Sequence, residues 1–90
     1  MMKHHFLEVT YRQGRPLAAY LYLPRESGDT SARTSEFEPG LLIDYTVDGK
    51  AIGIEITAIK RVTLESINRA LAAANQAPVT ESDLQPLLAA

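Results

Sequence analysis

Along the first fifty-eight residues apolar and polar side chains alternate with a period of two, the spacing of strands that bury one face. Leu7, Val9 and Tyr11 alternate with Glu8, Thr10 and Arg12. Gln13-Gly14-Arg15-Pro16 then reads as a turn, since Gly tolerates φ > 0 and Pro fixes φ. The next run places Leu17, Ala19, Leu21 and Leu23 on one side, with Ala18, Tyr20 and Tyr22 on the other. Pro24 ends that strand because it has no N–H for a ladder, and the polar stretch 25–32 is a loop. Residues 33–38 read as a short extended piece broken by Pro39-Gly40. Leu41, Ile43, Tyr45 and Val47 then face one way, and Leu42, Asp44 and Thr46 the other. Asp48-Gly49 between two alternating runs predicts a tight hairpin of type I′, with φ > 0 at both central positions. The return strand carries Ile52, Ile54 and Ile56 opposite Ala51, Gly53, Glu55 and Thr57.

After Lys60-Arg61 the period becomes helical. Thr63 suits an N-cap and Glu65 the first turn. Leu64, Ile67, Leu71 and Ala74 recur on one side of the helix, with Glu65, Arg69 and Asn75 away from it. A cap-like Thr80-Glu81-Ser82-Asp83 precedes Leu84, Leu87 and Leu88, and predicts at most a short docked helix. The expected fold is therefore α+β: a small curled antiparallel β-meander of four strands packed on a C-terminal helix. It forms one domain, with the sheet in 7–58 and the helix and tail in 63–90. The predicted core collects Leu7, Val9, Tyr11, Leu17, Leu21, Leu23, Ile43, Tyr45, Val47, Ile52, Ile54 and Ile56, with the helix as lid.

Ninety residues suffice for one modest core. An apolar fraction of 46% and a charged fraction of 22% argue against disorder. The formal charge of −2 supplies no basic footprint for a phosphate backbone. With no cysteine there is no disulfide, no thiolate nucleophile and no Cys-based zinc site. No window has the ~20 apolar residues of a membrane span, and the N-terminus lacks a signal-type apolar stretch, so a cytoplasmic location is expected.

The face left over by the core holds the candidate site. It collects Glu8, Thr10, Arg12, Ala18, Tyr20, Tyr22, Asp44, Thr46, Glu55 and Thr57. Tyr20 and Tyr22 either cover Gly53 and the sheet backbone, or form a partner-binding surface, since Tyr combines a large rigid ring with a polar tip. Gly53 fits both, because a strand glycine marks a place where something packs close. Tyr20, Tyr22, Asp44, Glu55 and Gly53 are accordingly the candidate partner-binding residues.

Catalytic chemistry lacks its parts. The two histidines, His4 and His5, are N-terminal, and no Gly-x-Ser-x-Gly elbow or phosphate-cradling glycine loop exists. Glu36 and Glu38 are expected on one face of a solvated edge. Asp44 and Glu55, with Glu8 nearby, could offer carboxylates to a hard cation, although stable sites normally provide more oxygens. No catalytic residue, metal site or cofactor is assigned.

Tyr20-Leu21-Tyr22-Leu23, Glu38-Pro39-Gly40, Asp44-Tyr45 and the stretch Gly49-Lys50-Ala51-Ile52-Gly53-Ile54-Glu55-Ile56 resemble the YuzE-like family of small, mostly bacterial proteins. The resemblance covers roughly residues 7–58. It implies a curled antiparallel sheet and no established activity, and, through members thought to be encoded beside toxin-like genes, an antitoxin or partner-binding role. The family's first turn is typically acidic, whereas here it is Arg12-Gln13-Gly14-Arg15-Pro16-Leu17. The leading expectation is a non-enzymatic protein-interaction module, antitoxin-like or self-associating. The competing ones are a small metal-binding or catalytic domain using Asp44, Glu55 and Tyr22, and a nucleic-acid accessory using Arg12, Arg15, Arg25 and Arg33.

Overall fold

The computed structural model describes residues 4–88. Five strands, β1 (Phe6–Arg12), β2 (Arg15–Tyr22), β3 (Arg33–Glu38), β4 (Leu41–Tyr45) and β5 (Ala51–Ile56), precede α1 (Leu64–Ala73). A single 3-10 turn at Ser82–Leu84 then runs into the one-turn α2 (Gln85–Leu88). The fold is α+β, with five strands where the sequence reading counted four. The extended piece at 33–38 is a full edge strand, paired antiparallel with β4.

Nor is the sheet a simple meander. Its order is β1-β2-β5-β4-β3, antiparallel throughout. The β3-β4-β5 meander returns β5 to the centre, where it also pairs with the β1-β2 hairpin. Local alternation cannot reveal this, because β2 and β5 meet across thirty intervening positions of chain while each hairpin closes locally. A central strand is buried on both faces, and every residue of β5 except Glu55 is buried.

The two predicted turns exchange roles. Gln13-Gly14 alone links β1 to β2, with φ of 53° and 77°, so the two-positive-φ turn lies here and Arg15 and Pro16 belong to the strand. Pro16 is tolerated because β5 reaches only Ala19–Tyr22, leaving that stretch of β2 without a second neighbour. The Asp48-Gly49 hairpin exists with a different turn. The Gly49 amide donates to the Thr46 carbonyl (3.0 Å), the Thr46 amide to the Lys50 carbonyl (2.8 Å), and only Gly49 has positive φ, at 86°. A three-residue loop of this kind lifts Val47 off the sheet, and Val47 is 86% exposed rather than in the core.

Three register shifts account for the other departures from even–odd sorting. The pairing skips Leu17 opposite β1, Phe37 opposite β4 and Ile52 opposite β4, so each is the extra residue of a β-bulge on that side. Past Leu17 the side chains of β2 change face, and Leu17 and its neighbour across the hairpin, Tyr11, are each 53% exposed. Ile52 is buried but stands apart from the main apolar cluster, where Ala51 takes its place. Phe37 separates Glu36 from Glu38, so these do not share a face. Glu36 pairs with Leu42 on the outer side, and Glu38 reaches Arg69 on α1 (3.0 Å).

The core proper joins Ala19, Leu21, Leu23, Leu41, Ile43, Ile54 and Ile56 of the sheet to Ile67, Ala70 and Leu71 of the helix, with Leu7, Val9 and Tyr45 half-buried at its margin. Thr63 caps α1 as expected. Its hydroxyl accepts from the Ser66 amide (3.0 Å) and the Ser66 hydroxyl accepts from the Thr63 amide (2.9 Å), a reciprocal box with Ser at the third position. Asn75 ends the helix at φ 59°, with the Gln76 amide donating to the Leu71 carbonyl (2.8 Å).

The C-terminal tail is docked on the core. Val79, Leu84 and Leu87 lie in the core cluster. Asn68 clamps the entry from α1: its amide donates to the Val79 carbonyl (3.1 Å) and its carbonyl accepts from the Val79 amide (2.9 Å). The amide and hydroxyl of Thr80 hold the Asp83 carboxyl below its usual range. Asn68→Ala removes both clamp bonds and is expected to cost about 1–3 kcal/mol. It should raise amide exchange selectively over residues 79–88 and lower the denaturant midpoint. An unchanged midpoint and exchange pattern would show that the clamp is dispensable.

Candidate functional site

The helices cover one face of the sheet, and the pairing register writes the composition of the other. One row across it reads Phe6, Tyr22, Gly53, Asp44, Thr34, and the next reads Glu8, Tyr20, Glu55, Leu42, Glu36. Strand neighbours lie about 4.8 Å apart, so side chains within a row touch.

Tyr20 organises these rows. Its ring leans diagonally over Gly53, where a Cβ would stand 2.0 Å from the phenolic oxygen and 2.1 Å from Cε1. Only glycine leaves that path open. Having crossed it, the Tyr20 hydroxyl donates to Asp44 Oδ2 (2.6 Å), while the Thr34 hydroxyl donates to Oδ1 (2.5 Å). Asp44 is thus 4% exposed, with both oxygens engaged, where alternation predicted a solvated carboxylate. Burial first, and then the accepting carboxylate of Asp44, push the Tyr20 hydroxyl well above the ordinary tyrosine range.

That shift carries a sign for stability. The unfolded chain releases this proton near the ordinary value of 10.0, while the folded chain retains it, so the native state holds more protons in alkali. The contribution is complete below pH ~10 and falls as pH rises beyond it. Tyr20→Phe should therefore show a shallower alkaline loss of stability than the parent chain. Equal slopes in denaturation series across that range would contradict the assignment.

The aromatic rings form a ladder. Tyr20 stacks on Tyr22 at 4.6 Å between centroids and 23° between planes, and Tyr22 stacks on Phe6 at 5.7 Å and 25°. Arg25 also lies over Tyr22, its guanidinium carbon 5.2 Å from the centroid, while the same guanidinium donates to the Ile52 carbonyl. At the exposed end the Tyr22 hydroxyl reaches Glu8 at 3.4 Å. A shallow depression of about 280 Å³ beside Tyr20 is walled by Glu8, Thr10, Ala18, Glu55 and Thr57. A larger hollow of about 390 Å³ is lined by Arg15, Pro16, Ile59 and Lys60, and includes none of the candidate residues.

The five candidate residues thus share one face, in two roles. Tyr20, Gly53 and Asp44 are a mutually satisfied internal set: the tyrosine does cover the glycine. Tyr22 and Glu55 remain outward. Sequence reasoning missed Thr34, because residues 33–38 were read only as an extended piece, and placed Arg25 only in the nucleic-acid reading, because nothing in a polar loop announces a cation folded back over a ring. Asp44 and Glu55 do not converge on a cation. Among the described residues no three His, Asp or Glu side chains gather closely enough to hold a metal ion. His5 is half-buried. The four arginines form no patch, for Arg12 and Arg15 flank the hairpin tip, whereas Arg25 lies over Tyr22 and Arg33 over Tyr45 (4.3 Å).

Residues 18–60, from β2 to the connection after β5, match a family described as a protein of unknown function (DUF2283). The match takes in Tyr20, Tyr22, Arg25, Thr34, Asp44, Gly53 and Glu55, and leaves out β1 and the helices. No curated protein and no solved structure is similar enough to register as a match. Among the described residues, no helix is long and apolar enough to cross a membrane.

Proposed function

We propose that the chain is a non-enzymatic protein-interaction module whose contact surface is the outer face of the sheet. The observation that carries this reading is the stack Phe6–Tyr22–Tyr20, set on the face that the helices leave uncovered and braced from beneath by Asp44. Rigid aromatic rings lose little entropy on docking and are enriched where proteins meet. Glu8, Glu36 and Glu55 frame the stack and favour a partner surface of basic character. The YuzE-like resemblance makes a toxin-like protein encoded nearby, in the cytoplasm, the first partner to try. An affinity capture against the products of neighbouring genes, run with the parent chain and with folded Tyr22→Ser, tests the proposal. One product retained by the parent and lost by the variant supports it. Retention of none, or equal retention by both, overturns it.

A further inference from the structure

We infer that the free edge of β1 pairs antiparallel with β1 of a second copy, about a two-fold axis through Val9, making one sheet continuous across two chains. This goes beyond the face reading, since the contact is a backbone edge rather than the tyrosine surface.

The two edges of the sheet are β1 and β3, and they are not alike. β3 is short, carries charge at Arg33, Glu36 and Glu38, and is kinked by its bulge at Phe37. These are the devices by which proteins block edge pairing. β1 is the longer strand, carries charge only at Glu8 and Arg12, and has no bulged residue of its own. It runs regularly over seven residues without proline or lysine, and its register shift belongs to Leu17 on the partner strand. Among the described residues nothing hydrogen-bonds to its outward N–H and C=O groups.

Two further observations name a second copy as the occupant. Phe6 is 54% exposed and Tyr11 53%, and both lie on β1. The hairpin also overhangs the sheet, because β5 reaches only Ala19–Tyr22 and the ribbon from Thr10 to Ala18 lacks a third strand. A two-stranded ribbon is marginal alone, and two more strands from a symmetry mate would complete it.

The side chains then set the register. Pairing about Val9 overlaps all seven residues and keeps outer face with outer face. Phe6 meets Arg12 of the other copy, Leu7 meets Tyr11, Glu8 meets Thr10, and Val9 meets Val9. Both exposed rings are covered, one by a guanidinium and one by leucine. Arg12, which faces the like-charged Arg15 within its own hairpin, gains an aromatic face and, diagonally, the carboxylate of Glu8. Moving the axis to Thr10 would leave Phe6 without a strand partner.

The chain has no cysteine, so single cysteines report cleanly. Directly opposed residues lie about 4.5–5.5 Å apart between Cα atoms, within disulfide reach, whereas diagonal ones lie at about 7–8 Å, beyond it. Mixing Glu8→Cys with Thr10→Cys under mild oxidation should give covalent heterodimer in preference to either homodimer. Light scattering of the parent chain should give twice the single-chain mass. Arg12→Glu should weaken the dimer at least about tenfold, since each lost contact occurs twice across the axis. A monomeric mass with no covalent dimer overturns the inference, and preferred Thr10→Cys or Glu8→Cys homodimers overturn the register. A monomer that still captures a partner through Tyr22 would sink the edge pairing alone, and a dimer that captures none would sink the face reading alone.

Discussion

Gly53→Ala is expected to destabilise the chain by about 2–4 kcal/mol, far more than one methyl group on a sheet surface normally costs. The glycine here is required by space and not by backbone angle. The added carbon would stand 2.0–2.3 Å from Oη, Cε1 and Cζ of Tyr20, so the ring must leave. When it does, Asp44 loses one of its two hydroxyl donors while remaining buried, at about 1.5–3 kcal/mol for a bond to a charged group. The Tyr20–Tyr22 stack is lost as well, at about 0.5–1.5 kcal/mol. Denaturant midpoints measure the sum. The same substitution in a Tyr20→Phe background should cost less, since the bond to Asp44 is already gone. A midpoint unchanged from the parent would mean that Tyr20 does not need the glycine.

The adjacent position tests the opposite face. Ile54→Ala should cost about 2–5 kcal/mol. Ile54 is fully buried in the central strand, directly opposite Leu21 on one side and Ile43 on the other. Neighbours on both sides limit how far the cavity can collapse, which places the cost toward the upper end of that range. For a small domain with a total stability of about 5–15 kcal/mol, this is a large fraction. Equilibrium unfolding monitored by far-UV circular dichroism should show a lower midpoint with an unchanged slope. A loss below about 1 kcal/mol would mean that the space refills.

Much of the architecture is legible from side-chain period. The alternations through β1, β2, β4 and β5, the Thr63 cap and the Ile67–Leu71 stripe all occupy the elements they predict. What escapes is the set of single extra residues. Leu17, Phe37 and Ile52 are apolar, so each reads as one more beat of the pattern, and only the pairing shows them as bulges. Val47 misleads for the same reason, as an apolar residue in phase with β4 that lies in the turn.

The site shows the same limit. That Tyr20, Tyr22, Asp44, Gly53 and Glu55 share a face follows from parity. That Asp44 is buried does not, because its burial depends on Tyr20 crossing a third residue and on Thr34 arriving from a strand the pattern barely signals. The central place of β5 is likewise a long-range fact. Its only local trace is Ala51-Ile52-Gly53-Ile54, a run with no polar side chain on either face.

A double-mutant cycle between Tyr20→Phe and Asp44→Ala, read as unfolding free energies, tests most directly whether the tyrosine face is fixed from within by that carboxylate. A coupling of about 1–3 kcal/mol is expected, each single change costing much of what the pair costs. Strictly additive losses would contradict it, leaving the stacked rings without an internal brace.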